Sequence, residues 1–336
     1  MLAVAVCLSV MHGGVTEVSA EERNPADVIA DYVARVQGGE LGKVYEESFS
    51  VMVHKNSQEE YEKALHQVYD GLTSVQYKVL TDTADVKEYA LFSNNKRIAN
   101  LREQKKADGT WAVATVFKTM KTYIIEAETG KTVRVNGTVL GDSEQLSKAS
   151  EATNLSGLGY TKADLLVDTY RVQNMINEPE ITVDGVKKSA SIVDVTCDTV
   201  YVGEDLTSDQ ELSDMIIQYA EICAMYPARD IGLGSVASIS LTDSNWYSRI
   251  SEVQSDWFTA HSAPTFSNEK VLKIVKQGDD TIVANVIFDF YATNGEVSRT
   301  WVCGYQMTLV NVGGTWLIGG MGVDSTLNPH SEYYKD

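Results

Sequence analysis

The chain has 336 residues, of which 43% are hydrophobic, and a formal net charge of −19 at pH 7. This length exceeds one typical domain of roughly 100–200 residues, so two or three domains are expected. Phosphate groups are bound by clustered Lys and Arg, and the basic runs of this sequence are no longer than two residues, as at Lys105–Lys106. The composition therefore argues against a nucleic-acid or anionic-membrane binder.

The N-terminus has the pattern of an export signal. An apolar run from Leu2 to Met11 is shorter than the roughly 20 residues of a membrane span, and Val18-Ser19-Ala20 follows it as a small-residue cleavage pattern. Residues 1–20 are therefore predicted to be a signal peptide or a truncated membrane anchor, and the protein is expected in the extracytoplasmic cell envelope. No positive charge precedes the run, so a signal starting upstream of Met1 and a plain apolar tail stay open as alternatives.

Residues 24–120 read as helices followed by strands. In "NPADVIADYVARV" Asn24 is a good N-cap, Pro25 suits the first turn, and the helix should end at Gly38-Gly39. A second helix begins at Ser57, with Glu60 completing a capping box. The β-rich segments "VQYKVL", "EYALFS", "KRIANLRE" and "GTWAVATVF" are separated by turn residues, which predicts an antiparallel meander.

Residues 121–202 have a different pattern. Asn136-Gly137 and Asp184-Gly185 each mark a two-residue hairpin, and the intervening "SKASEATNLSGLG" is small and polar. This segment is predicted to be a compact β-rich connector domain.

Residues 203–328 repeat the order of the first module. Ser208 and Glu211 form a capping box for a long helix that should stop at Pro227, and long strands follow, two of them joined at Asn294-Gly295. "DGTWAV" closes the first module and "GGTWLI" the second. Trp111 and Trp316 are therefore predicted to be equivalent packing residues on the final strands.

Helices followed by a curved antiparallel sheet that ends in Gly-x-Trp-apolar resemble the nuclear transport factor 2-like superfamily, a cystatin-like cone. Residues 24–120 and 203–326 would be tandem copies, and the connector, with "YIIEAETGKTVRVNGTVL", is similar to small β-domains of bacterial envelope proteins, some linked to cell-wall stress and antibiotic tolerance. The resemblance implies an α+β fold with two cone-like modules separated by a small β-rich domain. It leaves function open, because the superfamily includes isomerases, dehydratases and structural modules.

Metal and cofactor chemistry have little support in the sequence. The four cysteines show no C-x-x-C spacing, Cys223 and Cys303 fit buried thiols, and a disulfide stays possible for an exported chain. His54, His66 and His330 are isolated in sequence. "GLGSVA" at 232–237 imitates a dinucleotide fingerprint but follows a helix where a strand is required. No metal and no cofactor is predicted.

Catalytic members of the superfamily resembled here commonly use an Asp, sometimes with a His or Tyr, in the apolar cavity, and the best counterparts are Asp289 and His261. In "TIVANVIFDFYA" alternation places Ile282, Ala284, Val286, Phe288 and Phe290 on one face. Asp289 falls on the other, mixed face, which favours solvent or a groove over a dry core.

The leading hypothesis is a non-catalytic, exported or surface-anchored bacterial envelope protein whose second cone binds a small apolar molecule, a peptide or an envelope protein. Any membrane association would be peripheral, through the N-terminus, and the oligomeric state is left open. The alternatives are a cavity enzyme of isomerase or dehydratase type using Asp289, and a spacer without a small ligand. The ligand-binding candidates are Trp246, Trp257, His261, Asp289, Tyr291, Trp301 and Tyr305.

Overall fold

The structure is a computed structural model that describes residues 4–7, 24–156, 158, 165–196, 198–253 and 260–334, without the side chains of 4–7 and 332–334. It is an α+β protein in which helices pack on antiparallel sheets, so the predicted fold class is confirmed. The chain divides into two compact units. The first unit comprises residues 1–122 and 172–179, and the second unit comprises residues 123–171 and 180–336.

The first unit consists of helices and one antiparallel sheet with strand order β1-β2-β3-β4-β5. Its elements are β1 (Val4–Cys7), α1 (Pro25–Gln37), α2 (Leu41–Ser48), α3 (Gln58–Tyr69), β2 (Ser74–Asp82), β3 (Val86–Ser93), β4 (Lys96–Lys105) and β5 (Trp111–Val116). Helix α2 was not predicted from the sequence.

The caps of this unit follow its sequence. The side chain of Asn24 accepts a hydrogen bond from the backbone N–H of Ala26, and Pro25 opens α1. Ser57 and Glu60 form the reciprocal capping box of α3 that their spacing predicts. Both helices bury their apolar stripes against the meander, whose core includes a fully buried cluster of Tyr32, Tyr61 and Tyr69.

Strand β1 lies within the apolar run that predicts an export signal. Its four residues pair antiparallel with β2, from Val4 opposite Tyr77 to Cys7 opposite Ser74. The small-residue pattern at 18–20 lies outside the described residues, so the processing of this segment stays a prediction. Within the described part of the chain, no helix combines the length and apolarity that crossing a membrane requires.

The second unit is built on a large sheet. Its main strand order is β17-β16-β15-β14-β13-β12-β11-β7-β8. The smaller elements are β6 (Lys121–Glu128), β7 (Val133–Val135), β8 (Thr138–Val139), β9 (Gln145–Glu151), β10 (Leu166–Met175), β11 (Ile181–Val183), β12 (Val186–Asp194) and β13 (Thr199–Asp205). The start of β6 and the last four residues of β10 belong to the first unit. The larger ones are α4 (Gln210–Met225), α5 (Leu233–Ala237), α6 (Asn245–Ser251), β14 (Thr265–Lys276), β15 (Thr281–Thr293), β16 (Ser298–Val312) and β17 (Thr315–Val323). Two short 3-10 helices, Ser325–Leu327 and Pro329–Tyr334, follow.

The segment predicted as a separate connector shares its sheet with the second module. Strand β13 crosses the predicted boundary at residue 202: it pairs with β12, runs parallel to β6, and joins β14 where Glu204 lies opposite Lys276. Gly203 fits this junction because a Cβ there would collide with the Lys276 carbonyl. Backbone pairing therefore continues through the point where the sequence pattern changes, and residues 172–179 belong to the first unit.

The two predicted hairpins of this segment are confirmed. Asn136 and Gly137 have φ of 47° and 80°, and Asp184 and Gly185 have φ of 50° and 79°. Two consecutive residues with positive φ are the signature of a type I′ turn, which joins β7 to β8 and β11 to β12.

Helix α4 of the second unit has its N-cap one residue after the predicted one. The N-cap of α4 is Asp209, whose side chain accepts from the N–H of Leu212, so the prediction of a capping box at Ser208 is wrong by one position. The helix ends at Met225, before Pro227. Asp209 is favoured over Ser208 as the N-cap because its carboxylate also complements the positive end of the helix dipole.

The two Thr-Trp pairs occupy related places. Trp111 is the first residue of β5 and Trp316 the second of β17, the strands that end each sheet. Both indoles are partly buried. Superposition of the two modules stays a prediction.

Candidate functional site

The inner face of the β15–β16 ribbon forms the wall of the candidate site. The predicted alternation is confirmed, because Ile282, Ala284, Val286, Phe288 and Phe290 all belong to one buried cluster that α4, α5 and α6 cover. Residues directly opposite each other in an antiparallel pair share a face. Phe290 lies opposite Trp301 and Ala292 opposite Arg299, so the inner face continues from the apolar core to the hairpin end.

A pocket of about 440 Å³ opens at this hairpin end. This volume falls in the range of small-molecule sites, roughly 300–1,000 Å³. The described residues that line it are mostly small or apolar: Ala228, Ala260, His261, Phe290, Ala292, Thr293, Asn294, Val297, Arg299 and Trp301. The three alanines leave the space that larger side chains would fill, so the second module keeps a cavity where its core ends.

The aromatic wall of the pocket is arranged edge to face. The ring centroids of Phe290 and Trp301 are 5.5 Å apart at 69°, and Phe266 packs on Phe290 from the other side at 5.4 Å. The guanidinium carbon of Arg299 lies 5.3 Å from the Trp301 ring centroid. Aromatic pairs of this geometry and a cation over an indole are both favourable, so the wall is held in place before any ligand arrives.

The polar side of the pocket is formed by His261. Its Nε2 atom lies 3.3 Å from Oδ2 of Asp230, and the two side chains are only 10% and 18% exposed. The backbone N–H of Asp230 donates to the Met225 carbonyl just after α4, which fixes the carboxylate near the end of that helix. The contact with Asp230 orients His261 at the pocket.

The hairpin that carries the pocket rim is tied by its own side chains. The Asn294 side chain accepts from the N–H groups of Glu296 and Val297, and Thr293 Oγ1 accepts from the N–H of Gly295. Asx-type hydrogen bonds of this kind fix a turn locally. The rim therefore has a defined conformation.

Two of the seven candidate residues, His261 and Trp301, line this pocket. Tyr305 is 7% exposed and packs edge to face on Phe288 at 5.1 Å, which places it in the core. Trp246 is also a buried core residue, on α6. Tyr291 is exposed, and its hydroxyl donates to Ser298. Trp257 lies outside the described residues.

Asp289 occupies a different environment from the expected solvent or groove. It is 6% exposed, and it lies on the sheet face opposite Phe288 and Phe290. Asn268 donates to Oδ2 at 2.8 Å, Asn328 donates to Oδ1 at 3.1 Å, and His330 Nδ1 lies 2.7 Å from Oδ2. The expectation of an exposed carboxylate is wrong because the segment after β17 folds back over it.

A close backbone approach makes this cover possible. The N–H of Asp324 donates to the Gly304 carbonyl, and a Cβ on Gly304 would collide with the Asp324 carbonyl and approach Leu327. Asn328, which is 1% exposed, also donates to the backbone carbonyls of Phe288 and Cys303. No pattern in the sequence indicates that Asp289 contacts His330, which lies 41 positions later.

The electrostatics of Asp289 favour a fixed anion. Burial raises its pKa, but the hydrogen bonds from His330, Asn268 and Asn328 outweigh burial and hold the pKa below the usual value. A proton-transfer acid in an apolar cavity needs the opposite, a raised pKa. Asp289 is also absent from the described lining of the pocket, although His330 is a titratable partner within hydrogen-bond reach.

Of the described thiols in this unit, Cys223 is buried and Cys303 is partly buried. Burial raises the pKa of Cys223 to about 12 and that of Cys303 to about 11, and both are free. A raised pKa suppresses the reactive thiolate. Cys7 has no described side chain, and Cys197 lies outside the described residues.

A second concavity of about 650 Å³ also lies in the second unit. Its lining mixes charges of both signs, and two of its three lysines are engaged, Lys131 at 3.5 Å from Asp184 and Lys276 at 3.8 Å from Asp279. The described lining has five carboxylates and three lysines, so acidic side chains outnumber basic ones there. In the described part of the chain, no group of three or more His, Cys, Asp or Glu residues could hold a metal ion.

No family model matches the chain, and no curated protein matches it. Among solved structures, the chain is similar to one described as an "Ntf2 like protein involved in plasmid conjugation", with 10% identity, a TM-score of 0.25 and coverage of 91% of each chain. A similarity with so low a TM-score says nothing about function. The function is therefore inferred from the site itself.

Proposed function

We propose that the second module is a non-catalytic binding module that takes a small, largely apolar ligand in the pocket at the β15–β16 hairpin. The observation that carries this proposal is the pocket wall formed by Phe290 and Trp301 on the inner sheet face, next to the His261–Asp230 pair. An apolar pocket with a few fixed polar groups is the usual form of a ligand site.

A binding role is favoured over turnover because the Asp289–His330 pair is separated from the pocket. The Asp289–His330 pair, which has the groups of an acid–base dyad, is on the sheet face opposite the pocket wall. Geometry precedes pKa in assigning a catalytic base, and no pocket ligand resting on the inner face reaches that carboxylate. The aromatic wall binds, and the dyad secures the C-terminal segment.

The test uses N-phenyl-1-naphthylamine, a neutral aromatic probe whose fluorescence rises in apolar sites. Ala260→Trp places an indole at the exposed pocket rim and should remove the binding signal. Ala107→Trp, on an exposed turn between β4 and β5, is the matched control and should bind as the unmodified protein does. Absence of binding in the unmodified protein would favour the spacer hypothesis, and binding that survives Ala260→Trp unchanged would reject this pocket.

We also propose that the protein acts outside the cytoplasm, in the cell envelope, secreted or attached through its N-terminus. The proposal rests on the apolar run and the Val18-Ser19-Ala20 pattern. N-terminal sequencing of the protein from its native host should begin near Glu21. An intact cytosolic chain that retains β1 would contradict export with cleavage.

A further inference from the structure

We infer that the ligand of this pocket is an aromatic or other flat apolar molecule with one anionic group, such as a carboxylate. This inference rests on the proposed function and adds the charge and shape of the ligand. In it, Arg299 binds the anion and the Trp301–Phe290 wall binds the flat body.

The charge of the pocket carries the first step. Arg299 is the one residue with a permanent formal charge among the described residues that line the pocket. Its described interaction is with the Trp301 ring, and no carboxylate of the described residues forms an ion pair with it. In a chain with a formal net charge of −19, this site presents a cation toward an apolar space.

The neighbouring carboxylate does not cancel that cation. Asp230 is directed at Nε2 of His261, 3.3 Å away, and does not belong to the described pocket lining. This contact keeps the Asp230 carboxylate engaged with His261. An incoming anion therefore meets the guanidinium of Arg299 without an acidic side chain in the described wall to repel it.

The orientation of Arg299 suits a flat anionic ligand. The guanidinium carbon lies over the Trp301 indole, and this cation–π contact holds the Arg299 side chain beside the pocket wall. A carboxylate accepts two parallel hydrogen bonds from a guanidinium fork. A ring attached to that carboxylate can then extend inward past Ala292 toward Phe290, along the face where these side chains are aligned.

The experiment compares two probes of the same shape by isothermal titration calorimetry: 2-naphthoate, which is anionic, and 2-naphthamide, which is neutral. The unmodified protein should bind naphthoate about tenfold more tightly than naphthamide, and added salt should reduce only the naphthoate affinity. Arg299→Gln should bring the two affinities within about twofold of each other and leave naphthamide binding unchanged.

Two further variants separate charge from packing. Arg299→Lys keeps the charge but loses the planar fork, so it should retain part of the naphthoate preference. Arg249→Gln removes an exposed arginine of α6 and should leave the preference intact. This matched control shows that the change in overall charge is not the cause.

The outcomes distinguish the inference from the proposed function. Equal binding of both probes in the unmodified protein overturns the inference about the anion but leaves the pocket. Tight naphthoate binding that Arg299→Gln does not weaken overturns the role of Arg299. Failure of both probes, together with failure of N-phenyl-1-naphthylamine, overturns the proposed function and the inference with it.

Discussion

Truncation of two aromatic residues on one strand face should separate ligand binding from stability. Tyr305 and Trp301 are both on the inner face of β16, but Tyr305 is in the core and Trp301 lines the pocket. Truncation of a fully buried large aromatic side chain typically costs about 3–5 kcal/mol. We expect Tyr305→Ala to destabilise the second unit by that amount.

Trp301→Ala should have the smaller effect on stability. The partly exposed indole contributes an edge-to-face pair with Phe290, worth about 0.5–1.5 kcal/mol, and a stack with Arg299, worth about 0.5–1 kcal/mol. These two contacts together contribute about 1–2.5 kcal/mol, and the loss of the indole's buried apolar surface adds to that figure. The same change removes one wall of the pocket, so probe affinity should fall at least tenfold.

The assay combines urea unfolding, followed by circular dichroism, with probe titration at a temperature where each variant is folded. Tyr305→Phe keeps the ring that packs on Phe288 and is the mild control; it should change stability by less than about 1.5 kcal/mol. Full probe affinity in Trp301→Ala would show that Trp301 is not part of the binding site, and an unchanged free energy of unfolding in Tyr305→Ala would show that Tyr305 is not a core residue.

Three further changes test other parts of the second and first units. Asp289→Asn should lower the free energy of unfolding by about 1–3 kcal/mol, because an amide cannot accept every hydrogen bond that the carboxylate accepts. Its probe affinity should change less than threefold. If the unmodified protein turns over a small carbonyl or hydroxyl compound and this variant loses that activity at unchanged stability, the enzyme alternative is favoured. Gly304→Ala should destabilise by about 1–3 kcal/mol in urea unfolding because the new Cβ meets the C-terminal segment, whereas Gly234→Ala, whose Cβ has open space in a helix, should be neutral or stabilising. Burial, with the nearby Lys55 charge, lowers the pKa of His54 to about 4, so the unfolded chain binds the proton first as the pH falls from about 6.5 to 4. The free energy of unfolding should therefore drop by about 2–3 kcal/mol between pH 7 and pH 4.5. His54→Gln should lose this pH dependence, and His66→Gln should keep it.

Much of the local structure could be predicted from the sequence because it depends on neighbours in the chain. The capping box at Ser57, the Asn136-Gly137 turn and the alternation along β15 need only a few adjacent residues. The α4 cap was misplaced because Ser208 and Asp209 are both good N-caps, and local pattern alone does not choose between them.

The candidate site could be predicted only in part, because its parts meet through tertiary contacts. Trp301 and His261 were both among the candidates from the sequence, but Asp230, the partner of His261, lies 31 residues earlier. The burial of Asp289 depends on a segment near the C-terminus whose sequence gives no sign of its docking. Arg299 was missed because a single exposed arginine is common, and only the cavity beside it makes it a candidate.

The most direct test of the binding site is methyl NMR of the protein labelled with ¹³C at alanine methyl groups and titrated with N-phenyl-1-naphthylamine. Ala228, Ala260 and Ala292 come from three separate segments and all line the pocket. If the probe binds in this pocket, these three methyl signals shift together and show intermolecular NOEs to the probe, while the signal of Ala114 in the first unit's core stays in place. Saturable binding that leaves these three signals unmoved would contradict the account.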